Sequence, residues 1–214
     1  MHCHSNWTDG KDSTIDIVNH AIKRNLKCIG ISDHIRNSSS YFDEYYDEIN
    51  LVRKSKGKID VFIGCESKIL ENFNLDISIK DFSKAEFVIA SVHSIKINEQ
   101  RVPLSNVDMK MSNNYEFNYL KNFILNCENK KVFIGHPFGM SSKFHGKIDM
   151  NLFEEIIKIS CKKNFCIEIS YAYHNKFMSE ILTILNKFNP IVVFNSDAHR
   201  KEDLRSWDKF NIND

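Results

Sequence analysis

The chain has 214 residues, of which 42% are hydrophobic and 27% charged, and its formal net charge is +1. This composition is typical of a folded globular protein, and a net charge near zero with interspersed signs gives no broad basic face for long nucleic acid. No run of the sequence approaches the roughly 18 apolar residues of a membrane span. Six cysteines that lack a CxxC spacing and lie mostly inside apolar runs favour buried thiols over a disulfide framework or a zinc knuckle. We therefore expect one domain over residues 1–214, a cytoplasmic location and no extended nucleic-acid or membrane partner, while the oligomeric state stays open.

Short apolar runs rich in β-branched residues predict strands at 27–32, 58–66, 85–93, 131–136, 165–170 and 190–197, and the opening MHCH would add a seventh. Segments of helical period lie between most of them, and Ser13 with Asp16 three residues later predicts a helix start. The stretches 67–84 and 94–112 lack strong periodicity and are expected to be long loops. Strands alternating with helices predict an α/β fold with a parallel sheet, either open and doubly wound or closed into a barrel.

Imidazoles and carboxylates stand in the first run and at the C-terminal ends of the later ones. They are His2 and His4, then Asp33 and His34, Glu66, His93, His136, and finally Asp197 and His199. Because the C-terminal ends of parallel strands meet at one edge of a sheet, these side chains can converge although they are far apart in sequence. Alternate residues of a strand project to the same side, so each of the two His-containing ends can present a pair of ligands.

A lone histidine at a strand end is more often a hydrogen-bonded polar residue than a metal ligand. Six of them together with three carboxylates are better explained by a divalent cation, which binds neutral imidazole and carboxylate at once. Mixed nitrogen and oxygen ligands favour Zn, Mn or Fe. The pattern therefore predicts a metal centre at the strand ends.

Six motifs cover nearly the whole chain in a fixed order: HCHSNWTDG at 2–10, ISDH at 31–34, GCES at 64–67, SVHS at 91–94, GHP at 135–137 and NSDAH at 195–199. In this order the sequence resembles the PHP superfamily, the polymerase and histidinol-phosphatase family of metal-dependent phosphoesterases, and it looks closest to the histidinol-phosphatase branch. The resemblance implies an α/β fold, a single-domain distorted TIM-like barrel of seven β/α units. It also implies two or three divalent metal ions, Zn, Mn or Fe, as cofactors.

The resemblance also assigns the ligands. It implies a first ion held by His2, His4, Glu66 and Asp197, a second ion held by His93 and His136 with Glu66 as the bridge, and a third ion held by Asp9, His34 and His199.

The implied activity is metal-dependent hydrolysis that releases phosphate from a small phosphomonoester, most like histidinol phosphate, by attack of a metal-bridging hydroxide. Glu66 would act through the metals, and Asp197 or His174 would pass a proton to the leaving group. Arg101 and Arg200 are the candidate substrate-binding residues, because a guanidinium can grip phosphate with two hydrogen bonds.

Three alternatives remain open at this point. The substrate could be another sugar phosphate, a nucleotide or a short oligonucleotide. The chain could be a noncatalytic metal-binding module, although its complete set of ligands argues against this. A metal-dependent amidohydrolase commonly bridges its ions with a modified lysine, and Glu66 at the corresponding strand exit disfavours that class.

Overall fold

The computed structural model describes residues 2–97 and 100–204. Its strands are β1 (Cys28–Ile31), β2 (Asp60–Lys68), β3 (Phe87–Ser91), β4 (Ser94–Ile97), β5 (Gln100–Pro103), β6 (Val132–Ile134), β7 (Cys166–Ser170) and β8 (Val192–Asn195). Its α-helices are α1 (Thr14–Lys23), α2 (Phe42–Lys56), α3 (Ile79–Lys84), α4 (Met109–Asn126), α5 (Gly139–His145), α6 (Met150–Lys163), α7 (Tyr171–His174) and α8 (Met178–Phe188). Among the described residues, no helix combines the length and apolar character that crossing a bilayer requires.

The main sheet has the strand order β1, β2, β3, β6, β7, β8. The pairs β1 with β2 and β6 with β7 are parallel, and helices occupy most of the connections between strands of this sheet. Every residue of β3 and the last four of β7 are buried, which is typical of parallel strands covered on both faces. The predicted α/β fold of the distorted TIM-barrel type is confirmed.

The described residues form two compact units. The first comprises residues 2–67, 76–89 and 195–204, and its core packs α1 and α2 on β1 and β2 through side chains such as Val18, Ile31, Ile49 and Ile63. Helix α1 starts where the sequence predicts, because the Ser13 side chain accepts a hydrogen bond from the Asp16 backbone. The prediction of one domain over residues 1–214 stays a prediction.

The second unit comprises residues 68–75, 90–97 and 100–194. Its core is formed by α4, α6 and α8 together with β6 and β7, with Leu120, Ile134, Phe153, Ile167 and Ile181 buried. The α6 helix is capped by Asp149, whose side chain accepts hydrogen bonds from two backbone amides of the first turn.

Two predictions about chain segments were wrong. The opening MHCH is not a full strand, since the structure gives it one isolated parallel bridge, between Cys3 and Ala198. The stretches expected to be long loops contain α3, the antiparallel hairpin of β4 and β5, and the start of α4. Four to six residues are too few to show a clear period, so such short elements escape a periodicity search.

Candidate metal centre

The histidines of the opening segment are placed by backbone hydrogen bonds in the first unit. The His4 amide donates to the Ala198 carbonyl at 2.9 Å, and the Ser32 amide donates to the Cys3 carbonyl at 2.9 Å. The opening segment therefore lies between the end of β1 and the segment after β8. Cys3 points the other way, with its Sγ 3.2 Å from the Gly30 carbonyl, as the alternation of strand side chains predicts.

Four side chains, those of His2, His4, Glu66 and Asp197, bring one ligand atom each to the same point. His2 Nε2 lies 3.1 Å from His4 Nε2, 3.6 Å from Glu66 Oε2 and 3.3 Å from Asp197 Oδ1. His4 Nε2 lies 3.5 Å from the same Glu66 oxygen and 3.2 Å from the same Asp197 oxygen. Tetrahedral ligands about 2.0–2.1 Å from an ion are about 3.3 Å apart, so the observed spacing fits a metal site.

All four side chains are buried. Two carboxylates and two imidazoles in such a place are costly to keep without compensating charge, because burial removes the solvation of ionised groups. A divalent cation would balance the negative charge of the two carboxylates and would accept the lone pairs of the neutral imidazoles. We call this set, His2, His4, Glu66 and Asp197, the buried cluster; its donor chemistry fits Zn, Mn or Fe.

A second set in the same unit consists of Asp9, His34 and His199, which we call the loop cluster. Asp9 Oδ2 lies 3.4 Å from His34 Nε2 and 3.3 Å from His199 Nε2. Asp9 also approaches the buried cluster, with Oδ1 3.5 Å from His4 Nδ1. Its side chain is 52% exposed, so this set opens to solvent, unlike the buried cluster.

The remaining nitrogens of His34 and His199 are oriented by oxygen atoms. His34 Nδ1 lies 2.9 Å from Glu66 Oε2, and His199 Nδ1 lies 3.2 Å from the Asp197 carbonyl. Such contacts fix the tautomer and ring orientation of metal-binding histidines and leave Nε2 for the ion. Asp197 has a positive φ of 51°, a backbone conformation that Asp tolerates better than most residues.

The electrostatics of the loop cluster favour positive charge. Hydrogen bonds from His199 and His34 hold the pKa of Asp9 far below its usual value. Burial lowers the pKa of His34, but hydrogen bonds to Asp9 and Glu66 outweigh it and raise the pKa to about 10. The hydrogen bond to Asp9 likewise raises the pKa of His199. Protons on these rings occupy the place that a cation would take, so metal uptake should release protons.

The second unit holds the other candidate ligands, His93 and His136. Their ring centroids are 5.4 Å apart, and the His136 ring lies 4.9 Å from that of Tyr173. The buried Glu168 on β7 accepts a hydrogen bond from the His136 amide at 2.8 Å, which fixes the backbone of His136 at a positive φ of 24°. The ion assigned to Glu66, His93 and His136 stays a prediction.

His174, predicted as a proton donor, is fully buried in the second unit. Its Nδ1 accepts from the Ser170 amide at 2.9 Å, and its Nε2 lies 2.9 Å from the Pro137 carbonyl. Burial lowers the pKa of His174 to about 4, so the ring is neutral at pH 7. Both nitrogens serve the backbone, which favours a structural role over proton transfer.

The two predicted phosphate-binding arginines lie at the surface. Arg200 is exposed directly after His199. Arg101 is exposed on β5, with Nη2 3.8 Å from Glu71 Oε1. Their substrate-binding role stays a prediction.

Two buried carboxylates that position this chemistry were missed as site residues. Glu168 interrupts the apolar run FCIEIS, and a lone acidic residue inside a buried strand was the signal available for it. Asp33 was noted at a strand exit, but the sequence gives no sign that it binds hydroxyl groups of the loop before α1.

The fold and the site together define a class: an α/β protein that gathers histidines and carboxylates where its strands end, in sets that can hold metal ions. The PHP domain family matches residues 1–172, which is most of the chain, and the chain therefore belongs to the PHP domain family. Members of this family are typically metal-dependent phosphoesterases.

Among curated proteins, the chain is similar to the DNA polymerase/3'-5' exonuclease PolX of Bacillus subtilis (strain 168). The two are 22% identical over 212 residues, which is 95% of this chain and 34% of PolX. The chain thus spans about a third of the length of this relative. The PHP assignment made from the motifs is confirmed, and the histidinol-phosphatase branch is not.

Proposed function

We propose that this protein is a metal-dependent phosphoesterase that releases phosphate from a small phosphomonoester, with histidinol phosphate as the model substrate. The observation that carries the proposal is the buried cluster, in which two imidazole nitrogens and two carboxylate oxygens stand 3.1–3.6 Å apart in five measured pairs. Membership of the PHP domain family supports the reaction class. The choice of a phosphomonoester is an expectation drawn from the motifs.

Bound divalent ions would supply positive charge for the phosphoryl oxygens and lower the pKa of water from 15.7 to about 7. The contribution of the chain is to hold the donors in place. Glu66 is central because one oxygen, Oε2, faces His2, His4 and His34, so that it joins the buried cluster to the loop cluster. Asp197 contributes Oδ1 to the buried cluster and orients His199 through its carbonyl.

The exposure of the loop cluster gives a substrate a way to approach it. Asp9 is half exposed, and the side chains of His34 and His199 are 28% and 37% exposed. Arg200, the next residue after His199, is the proposed phosphate-binding side chain, and Arg101 is the second candidate. Arg200→Met should raise KM for a phosphomonoester with little change in kcat, because its guanidinium would bind ground state and transition state alike.

A second candidate function is hydrolysis at the 3' end of a short nucleic acid. The observation that favours it is the similarity to PolX, whose name includes a 3'-5' exonuclease, over 95% of this chain. The same buried cluster would serve either ester, because both reactions place charge on phosphoryl oxygens.

One assay compares the two functions. Purified protein is stripped with a chelator, reloaded with Mn²⁺, Zn²⁺ or Fe²⁺, and incubated with histidinol phosphate, 4-nitrophenyl phosphate, bis(4-nitrophenyl) phosphate and a 5'-labelled oligonucleotide. Release of inorganic phosphate from the monoesters supports the first proposal, and stepwise shortening of the oligonucleotide supports the second. Asp197→Asn is the inactive comparison, and Asp43→Asn, at an exposed carboxylate that pairs with lysines, is the matched control. Metal uptake without turnover of any ester would contradict both and favour a binding module.

A further inference from the structure

Asp33 lies directly before His34 and is fully buried, and its side-chain oxygens bind Ser5 and Thr8 rather than a ligand of either cluster. Its Oδ1 accepts hydrogen bonds from the Ser5 amide at 2.9 Å and the Thr8 hydroxyl at 2.6 Å, and its Oδ2 accepts one from the Ser5 hydroxyl at 2.7 Å. Both oxygens are therefore engaged by the segment that connects His4 to Asp9. A carboxylate whose oxygens accept three such hydrogen bonds holds a chain segment in place rather than an ion.

We propose that Asp33 is the positioning residue of the loop cluster: by holding Ser5 and Thr8 it sets the place of Asp9, and so it controls metal binding by Asp9, His34 and His199 but not by the buried cluster. This inference rests on the proposed function only in taking the two clusters as metal sites.

The loop from Ser5 to Asp12 has further contacts, both at its ends and within it. The Asn6 amide donates to the Asp12 carbonyl at 2.9 Å, and the Asp12 carboxylate binds the Lys201 amide and ammonium at 2.8 and 2.6 Å. Trp7 Nε1 donates to Glu48 Oε2 at 3.0 Å. Removal of the Asp33 side chain should therefore leave the loop attached while loosening the part that carries Asp9.

Thr8 is the link between Asp33 and Asp9. Its hydroxyl lies 2.6 Å from Asp33 Oδ1 and 3.3 Å from Asp9 Oδ1, and it has a single hydrogen to donate. The shorter contact assigns that hydrogen to Asp33. Thr8 is thus anchored one residue before a ligand whose side chain is half exposed.

The backbone at Gly10 closes the turn tightly after Asp9. The Gly10 amide donates to the Ser5 carbonyl at 3.0 Å, and a Cβ at this position would stand 2.2 Å from the His4 carbonyl oxygen. Only glycine fits, so Asp9 sits between a close backbone contact on one side and the Asp33-bound Thr8 on the other.

The buried cluster has backbone contacts of its own. The His4 amide donates a hydrogen bond to the Ala198 carbonyl, and the Glu66 amide donates one to the Asp33 backbone carbonyl, both at 2.9 Å. A change of the Asp33 side chain leaves both donors and both acceptors in place. Loss of the Asp33 side chain should accordingly weaken metal binding by the loop cluster and leave metal binding by the buried cluster unchanged.

The experiment measures Mn²⁺ binding to chelator-stripped, full-length protein by equilibrium dialysis and elemental analysis. Wild type should bind at least two ions. Asp33→Ala should lower the affinity for one of these ions by about 10–100-fold, which is the usual effect of losing a group that orients a metal ligand. The affinity for the other ion should stay unchanged. Asp9→Ala should lower the affinity for the same ion, and Asp197→Asn should lower the affinity for the other ion. Asp33→Asn, whose amide oxygen can still accept from Ser5 and Thr8, should restore most of the binding.

Asp43→Ala, at an exposed carboxylate on α2, is the control and should bind as wild type does. A folded Asp33→Ala that binds every ion with wild-type affinity, or that loses all ions together, overturns the proposal, as does a wild type that binds one ion. If Asp33→Ala does not fold, Thr8→Val is measured instead. A lower affinity for the ion that Asp9→Ala affects supports the proposal, and unchanged binding overturns it. Ion binding without hydrolysis of any ester would defeat the proposed function and leave this comparison intact.

Discussion

His34 Nδ1 lies 2.9 Å from Glu66 Oε2, and this contact joins the two ligand clusters of the first unit. The same Glu66 oxygen faces both histidines of the opening segment. One carboxylate thus serves as a donor in the buried cluster and as the orienting partner of a histidine in the loop cluster. Changes at Glu66 should therefore affect both.

Glu66→Gln should reduce phosphoesterase activity by more than about 100-fold, beyond the 10–100-fold typical of residues that only orient a ligand. The amide keeps the shape of the side chain but loses the charge that balances a cation. Metal content and kcat/KM are measured on the same preparation. Glu44→Gln, at an exposed position of α2, is the matched control. Normal metal content together with normal activity in Glu66→Gln would refute this assignment.

Metal removal should lower thermal stability. An ion present at 100 times its Kd stabilises the folded state by about 2.7 kcal/mol, which corresponds to a Tm shift of about 5–10 °C for a chain of this size. Calorimetry or circular dichroism with and without a chelator measures the shift. Asp197→Asn, which removes one charged donor from the buried cluster, should show a smaller shift. An identical Tm for stripped and loaded wild type would contradict metal binding in the folded state.

The pH dependence of stability should show the effect of Glu116, a buried residue of α4. Burial raises its pKa from 4.5 to about 7, although hydrogen bonds from Ser141 favour the ionised form. Because the unfolded state ionises first, this group costs stability as pH rises from 4.5 to about 7, by about 3 kcal/mol in all, and the cost stays above that range.

Glu116→Gln removes this titration and keeps an oxygen for the Ser141 amide. The free energy of unfolding in urea should therefore match wild type near pH 4, below the pKa of Glu116 in either state, and exceed it near pH 8. Glu155→Gln, at an exposed carboxylate paired with Lys158, serves as the control and should follow the wild-type profile. Equal pH profiles for Glu116→Gln and wild type would show that the carboxyl group does not titrate in this range.

His174 offers a direct comparison of two roles. Since both of its ring nitrogens contact backbone groups in a buried site, His174→Ala should cost about 2–4 kcal/mol of stability through lost hydrogen bonds and an internal cavity. The pH profile of kcat for the folded variant should stay that of wild type. A large loss of kcat at unchanged stability would instead support the proton-transfer role predicted from the sequence.

Many of the candidate ligands were predictable because strand side chains alternate in direction and because the ligands stand at the ends of apolar runs. His2 and His4 are two residues apart in an extended segment. His34 follows β1, Glu66 lies near the end of β2, and Asp197 follows β8. Parallel strands send all such exits to one edge, so convergence follows from the order of elements. Asp9 lies in a loop rather than at a strand end, and only the resemblance of the motifs to the PHP family indicated it as a ligand.

Other features were not predictable from local pattern. In the sequence Asp33 resembles the other polar residues at strand ends. Its hydrogen-bond partners Ser5 and Thr8 lie more than 20 residues earlier in the chain, so no local pattern shows the contact. Glu116 and His174 look like ordinary helix and loop residues until packing buries them. The hairpin of β4 and β5 has strands of four residues each, too short for a period to stand out.

The sequence by itself determined the alternation of strands and helices and the residues that stand where strands end, because hydrogen-bonding geometry and side-chain alternation are local properties of the chain. Only the tertiary structure decided which donor atoms face each other, as with Glu66 Oε2 and His34 Nδ1, and which carboxylates are buried as structural partners rather than ligands. Those outcomes depend on angstrom-scale distances between segments that are remote in sequence, and such distances are set by packing of the whole core.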